Sequence, residues 1–251
     1  MIDPVPIAQA PEPASMSWMV NGVRLSARIM PAARSTRGGD WCEAFAVSDD
    51  VMALSIGDVC GHGDEKYGAM VATSRAIREA ACRGLDPAQT LAEAHLFLRA
   101  FDPAEYATAL FGLLNLRTHT LVFANAGHPA PLLATPHETV YLEYPQSDLP
   151  LGIEDPFMPA LREVNVPAST LLVFYTDGVT EHEFKPLQGA TELRDAAIFA
   201  TKFSLLPTAA VIEKLMFLTG SNRDDAAILT AWTPVGPGPK RAPTKGFERP
   251  Y

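Results

Sequence analysis

ATALFGLLNLRTHTLVFANAGHPAPLLATPHETVYL, residues 107–142, is the stretch that decides the fold. It holds four strand-like runs in succession: Ala107–Leu116, Leu121–Ala126, Pro131–Ala134 and Thr139–Leu142. Two helices are predicted before it. Asp64–Arg83 has helical spacing, with Met70, Val71, Ile77 and Ala81 on one side. Asp86-Pro87 supplies an N-cap and a proline at the first helical position, opening a helix through about Ala100. Further out, Val51–Val59 is a mostly apolar run suited to a buried strand, and Asn21-Gly22 reads as a hairpin turn. Beyond residue 142 come two more strands, Leu161–Val166 and Leu171–Thr176. Helices near 191–203 and 207–218 follow, and a last strand spans Ala226–Trp232. Strands and helices are segregated rather than alternating, which predicts an α+β fold with antiparallel sheet and helices packed outside.

Proline marks both ends, with Pro4, Pro6, Pro11 and Pro13 at one and Pro234, Pro237, Pro239, Pro243 and Pro250 at the other. Such segments bury little, so the reading divides the chain into a tail at 1–16, a domain at 17–233 and a Pro-rich tail at 234–251. The formal net charge of −9 gives no electrostatic reason to bind nucleic acid or anionic lipid. Three cysteines, Cys42, Cys60 and Cys82, match neither a zinc site nor a disulfide framework and suit a reducing compartment. The first 16 residues carry no Lys or Arg, and no apolar run approaches a membrane span. The expected location is the cytoplasm.

The chemistry points to aspartates. Gly38-Gly39-Asp40 precedes a strand, and Gly57-Asp58-Val59-Cys60-Gly61-His62-Gly63 joins a strand to a helix. Thr176-Asp177-Gly178 follows an apolar strand, and Arg223-Asp224-Asp225 precedes one. A strand end is a rigid mount for a carboxylate, and neighbouring strand ends converge. Hard cations such as Mg2+ and Mn2+ take such oxygen ligands. Singly, each motif reads as well as a turn or a cap.

Their order carries a resemblance. GGDW at 38–41, LSIGDVCGHG at 54–63, YATALFGLLN at 106–115, FANAGHPAPLL at 123–133, LPLGI at 149–153, LLVFYTDGVTE at 171–181 and RDDAAILTAW at 223–232 resemble the type 2C (PPM) metal-dependent protein phosphatases. The match is to their bacterial branch, related to the sporulation phosphatase SpoIIE and the stress-response regulators. The resemblance implies a four-layer α-β-β-α sandwich, two central antiparallel sheets flanked by helices, with two divalent cations, Mn2+ or Mg2+, at one end. Carried over by position, Asp58 would bridge both ions, the Val59 carbonyl and Asp40 would serve the second, and Asp177 and Asp224 the first. Asp225 would be a ligand or a cap on the last strand. His62 would be a general acid or, more in keeping with its turn, a structural hydrogen bonder; His128 reads as structural. Arg34 and Arg37 would grip phosphate or simply form a solvated loop. Cys60 stands where the family usually shows Ser.

The implied activity is protein serine/threonine phosphatase, acting by attack of a metal-bridging water. The implied substrate is a phosphorylated regulatory protein, a STAS-type anti-sigma-factor antagonist. A separate activator is expected, acting on the helix after Gly63. The alternative is a catalytically silent relative that binds a phosphoprotein without hydrolysing it; retention of every metal aspartate speaks against this.

Overall fold

The computed structural model describes residues 16–20, 22–33, 35–61, 63–143, 148–181, 186–203, 205–206, 208–216 and 224–233. Among the described residues, eleven strands and four α-helices run in the order β1 (Met16–Val20), β2 (Val23–Met30), β3 (Asp40–Ala46), β4 (Val51–Val59), α1 (Tyr67–Cys82), α2 (Pro87–Phe101), β5 (Ala107–Asn115), β6 (Thr120–Ala126), β7 (Leu132–Ala134), β8 (Thr139–Tyr141), β9 (Arg162–Asn165), β10 (Leu171–Tyr175), α3 (Pro186–Thr201), α4 (Thr208–Leu215) and β11 (Ala226–Trp232). They form a six-stranded sheet, β1-β2-β11-β10-β7-β8, and a five-stranded sheet, β3-β4-β5-β6-β9. Every ladder between these strands is antiparallel. The α+β class and the four-layer sandwich are thus as expected.

Three cores separate the four layers. Leu25, Leu172, Phe174 and Leu229 of the first sheet meet Leu54, Ile56, Leu110 and Phe123 of the second. The outer face of the second sheet packs Trp41, Ala53 and Phe111 against Ile77, Leu91 and Leu98 of α1 and α2. The outer face of the first packs Val173 and Ile228 against Leu193, Ala197 and Ile212 of α3 and α4. Strand β4 is therefore covered on both faces, which is why its sequence reads as a near-continuous apolar run rather than an alternation.

The helix starts follow local chemistry. Asp86 accepts a hydrogen bond from the Gln89 amide at 2.9 Å, and Gln89 Oε1 accepts from the Asp86 amide at 3.2 Å. With Pro87 following, this is a capping box. Residues 64–66 form a 3-10 turn rather than part of α1, so the expected helix begins three residues late. Among the described residues, no helix is long and apolar enough to cross a membrane.

The Leu149-Pro150-Leu151-Gly152-Ile153 motif has a mechanical role. Leu151 and Ala107 exchange two backbone hydrogen bonds, 3.1 and 2.8 Å, next to the end of β4, since Ala107 pairs with Val59. His95 of α2, 1% exposed, holds this segment down. Its Nδ1 accepts from the Gly152 amide at 3.0 Å, so Nε2 carries the proton and donates to Asp155 Oδ1 at 2.9 Å. The ring stacks on Phe157, centroids 4.6 Å apart. His95→Ala is expected to destabilise the protein by about 2–4 kcal/mol, since it opens a cavity at a fully packed position and leaves the half-buried Gly152 amide without its acceptor. Urea unfolding measures this, and a loss under about 1 kcal/mol would count against the anchoring role.

Candidate metal centre

The register brings the first two motifs face to face. Asp40, the first residue of β3, is the cross-strand partner of Asp58, next to last in β4. Like charges directly opposite on one face are destabilising, yet these two carboxyl groups lie within hydrogen-bonding reach of each other. Asp40 is buried, and burial followed by the nearby Asp58 charge raises its pKa well above the carboxylate range. Asp58 is raised to about 7, chiefly by burial, with the charges of Asp177, Asp224 and Asp225 adding to the effect.

The remaining aspartates arrive from the other sheet. Asp177 opens a 3-10 turn at the end of β10, and Asp224 lies two residues before β11. The order is graded from solvent inward: Asp224 exposed, Asp177 and Asp58 half-buried, Asp40 buried. Val59, fully buried, donates its amide to the Gly39 carbonyl at 3.2 Å, so the end of β4 that carries Asp58 runs beside the start of β3 that carries Asp40. Gly178 is required by closeness: a Cβ there would lie 1.9 Å from the Asp225 carbonyl oxygen.

Asp225 is more than a strand cap. Its carboxylate, 2% exposed, accepts from the amides of Ala32 at 2.7 Å, Gly39 at 2.8 Å and Gly63 at 3.4 Å. One side chain thus ties the start of β11 to the loop before β3 and to the loop after β4. Spacing along the chain gives no sign of this, because the partners lie 162 to 193 residues away. The same holds for Thr176, whose hydroxyl donates to Asp40 Oδ2 at 2.7 Å across the sandwich.

Other motif residues take supporting positions. His128 is buried, its pKa lowered to about 3 by burial, and its Nδ1 lies 2.9 Å from Thr108 Oγ1. Asn125 spans the turn before it, accepting from the His128 amide at 2.7 Å and donating to its carbonyl at 2.8 Å. Because Thr108 is the cross-strand partner of Asp58, His128 buttresses the strand next to the centre, the structural role expected of it. His62 and Arg34 lie outside the described residues. Arg37 lays its guanidinium over the Tyr67 ring, 4.4 Å from the centroid. Lys66 reaches from the 3-10 turn to Glu105 at 3.0 Å. Cys60 is half-buried and donates its amide to the Tyr106 carbonyl at 3.0 Å.

Among the described residues, no three His, Cys, Asp or Glu side chains converge closely enough to cage an ion unaided. The donor set still fits a hard divalent cation. It is all oxygen, and Mg2+ in particular takes few carboxylates and keeps several waters. A group of mutually repelling carboxylates, graded from exposed to buried, is also what a cation would relieve.

The family model for stage II sporulation protein E (SpoIIE) matches residues 48–234. The protein IcfG of Synechocystis sp. is 23% identical over 198 residues, which cover 67% of this chain and 30% of IcfG. The structure of the RsbU and RsbW domains of Rv1364c from Mycobacterium tuberculosis superposes with a TM-score of 0.73 at 28% identity, covering 85% of this chain and 60% of that one. The catalytic domain of the serine/threonine protein phosphatase PstP, solved with two manganese ions, gives a TM-score of 0.62 at 16% identity, covering 84% of this chain and 98% of that one. The chain thus spans less than a third of its curated relative.

Proposed function

Because the chain belongs to the stage II sporulation protein E family, we propose that it is a metal-dependent protein serine/threonine phosphatase using two divalent cations. The observation that carries this reading is the pairing of Asp40 with Asp58 at one end of the sandwich, with Asp177 and Asp224 bearing on Asp58 from the other sheet. Asp58 would face both ions, Asp40 and the Val59 carbonyl one, and Asp177 and Asp224 the other. When bound, such a pair of ions acidifies a water and neutralises charge on the phosphoryl group. The chain's own part is to hold the oxygens rigid. Asp225 fixes the two loops, Thr108 and His128 support the neighbouring strand, and the graded exposure from Asp224 to Asp40 leaves the outer side of the site open to a protein substrate. His62, between Gly61 and Gly63 in the sequence, would protonate the leaving serine or threonine oxygen.

The substrate proposed is a phosphorylated regulatory protein of the STAS type. Support comes from the company kept by one structural neighbour, in which an RsbU domain shares a chain with an RsbW domain. A separate activating protein fits the same scheme.

Metal dependence tests the core of this reading. EDTA is expected to abolish hydrolysis of p-nitrophenyl phosphate, and Mn2+ to restore it. Full activity in a metal-free preparation would refute the mechanism. The substrate is tested separately with a phosphorylated STAS protein, whose dephosphorylation should depend on the same ion.

A further inference from the structure

Thr176 does not fit the role of a capping residue. It precedes Asp177 and the 3-10 turn, yet its side chain makes no cap to that turn. It is fully buried, and its hydroxyl makes two hydrogen bonds. The Ala227 amide of β11 donates to Oγ1 at 2.8 Å, and Oγ1 donates to Asp40 Oδ2 at 2.7 Å. A hydroxyl has a single proton and rotates to suit its partners. With Ala227 occupying the acceptor side, that proton is directed at Asp40. The Thr176 amide donates to the Ala227 carbonyl at 3.1 Å, so the threonine itself is clamped between β10 and β11.

The consequence is directional. Thr176 stands on the six-stranded sheet and Asp40 on the five-stranded one, so this is a polar tie across the sandwich at the end where the aspartates meet. One oxygen of Asp40 is committed to the hydroxyl, and the carboxyl plane is thereby set. A ligand carboxylate is commonly oriented in this way by a hydrogen bond from behind, and losing that bond typically costs about 10–100-fold in metal affinity or activity.

The geometry points to Thr176 as the residue that positions Asp40 for the second divalent cation, through the relay Ala227 N–H to Thr176 O–H to Asp40 Oδ2. This rests on the two-cation reading above. Thr176 would touch neither ion nor substrate.

The test is titration calorimetry of Mn2+ into the full-length protein, with kcat and KM measured alongside. Thr176→Val keeps the shape and removes the hydroxyl. Thr176→Cys is the milder variant should valine fail to fold, since its thiol takes the place of the hydroxyl and donates only weakly. Either variant is expected to bind one of two Mn2+ ions at least about tenfold more weakly, within the range for such supporting bonds. Thr176→Ser should return the affinity to within about threefold of wild type, and Asp40→Asn combined with Thr176→Val should be no weaker than Asp40→Asn alone. Wild-type Mn2+ affinity in both hydroxyl-free variants would overturn the positioning role and leave the phosphatase reading intact. A wild-type protein that takes up no Mn2+ would overturn both.

Discussion

Asp58→Asn is expected to stop turnover while leaving the fold intact or slightly firmer. The carboxylate stands opposite Asp40 and feels Asp177, Asp224 and Asp225, so its charge is costly until cations arrive. An amide of the same shape removes that cost and also the charge that two cations would share. Activity should fall by more than about a hundredfold, equivalent to about 2.7 kcal/mol of transition-state stabilisation. Melting in EDTA should occur at the wild-type temperature or above. The rise in melting temperature that Mn2+ gives the wild type should disappear, because a ligand stabilises only what it binds. A variant keeping more than about a tenth of wild-type kcat would remove Asp58 from the centre of the mechanism.

Asp225→Ala is expected to cost more stability than any other single change near the site. It leaves the buried amides of Ala32 and Gly39 without an acceptor and loosens Gly63. Each bond from an amide to a charged acceptor contributes about 1.5–3 kcal/mol, and each stranded buried donor costs about 1–3 kcal/mol. Removing one negative charge from the cluster works the other way, but that charge is already met by three amides. The net loss should exceed about 3 kcal/mol in urea unfolding. Asp225→Asn should not rescue it, since its NH2 group would face one of the amide donors. Mn2+ affinity should fall as well, because the freed loops adjoin the ends of β3 and β4 that hold Asp40 and Val59. A loss under about 1 kcal/mol would show that the loops hold themselves.

Much of this was legible in the sequence, for identifiable reasons. Strand β4 ends where expected, at Val51 and Val59, because an apolar run bounded by polar turns leaves little freedom in its limits. The start of α2 follows from Asp86-Pro87, a signal confined to adjacent residues. Helix α3 starts at Pro186, five residues before the expected 191. Gly189 argues against a helix on propensity alone, but a Cβ there would lie 2.0 Å from the Thr180 carbonyl, so packing selects glycine. Strand β2 extends to Met30, well past the hairpin that Asn21-Gly22 suggested, because β11 pairs along it from Arg24 to Met30. The site divides in the same way. The aspartates sit in short motifs and can be found by eye. The relay through Thr176 and the three amides on Asp225 exist only once distant segments meet.

That pairing of β2 with β11 also bears on how the chain assembles. The five-stranded sheet is built mostly from neighbours in sequence, β3 with β4 and β5 with β6. The six-stranded sheet inserts its last-made strand, β11, between β2 and β10. Contacts of such long sequence separation form slowly, because the loop must close before the pairing repays it. During synthesis, β2 and β10 each present an unsatisfied edge until β11 emerges, and bare edges invite pairing with other chains. Asp224 and Asp225 travel with β11, so the candidate metal centre gains its last carboxylates in the same late step that closes the sheet. A nascent chain halted before residue 224 would lack both these carboxylates and the strand that closes the sheet, and would be prone to aggregate.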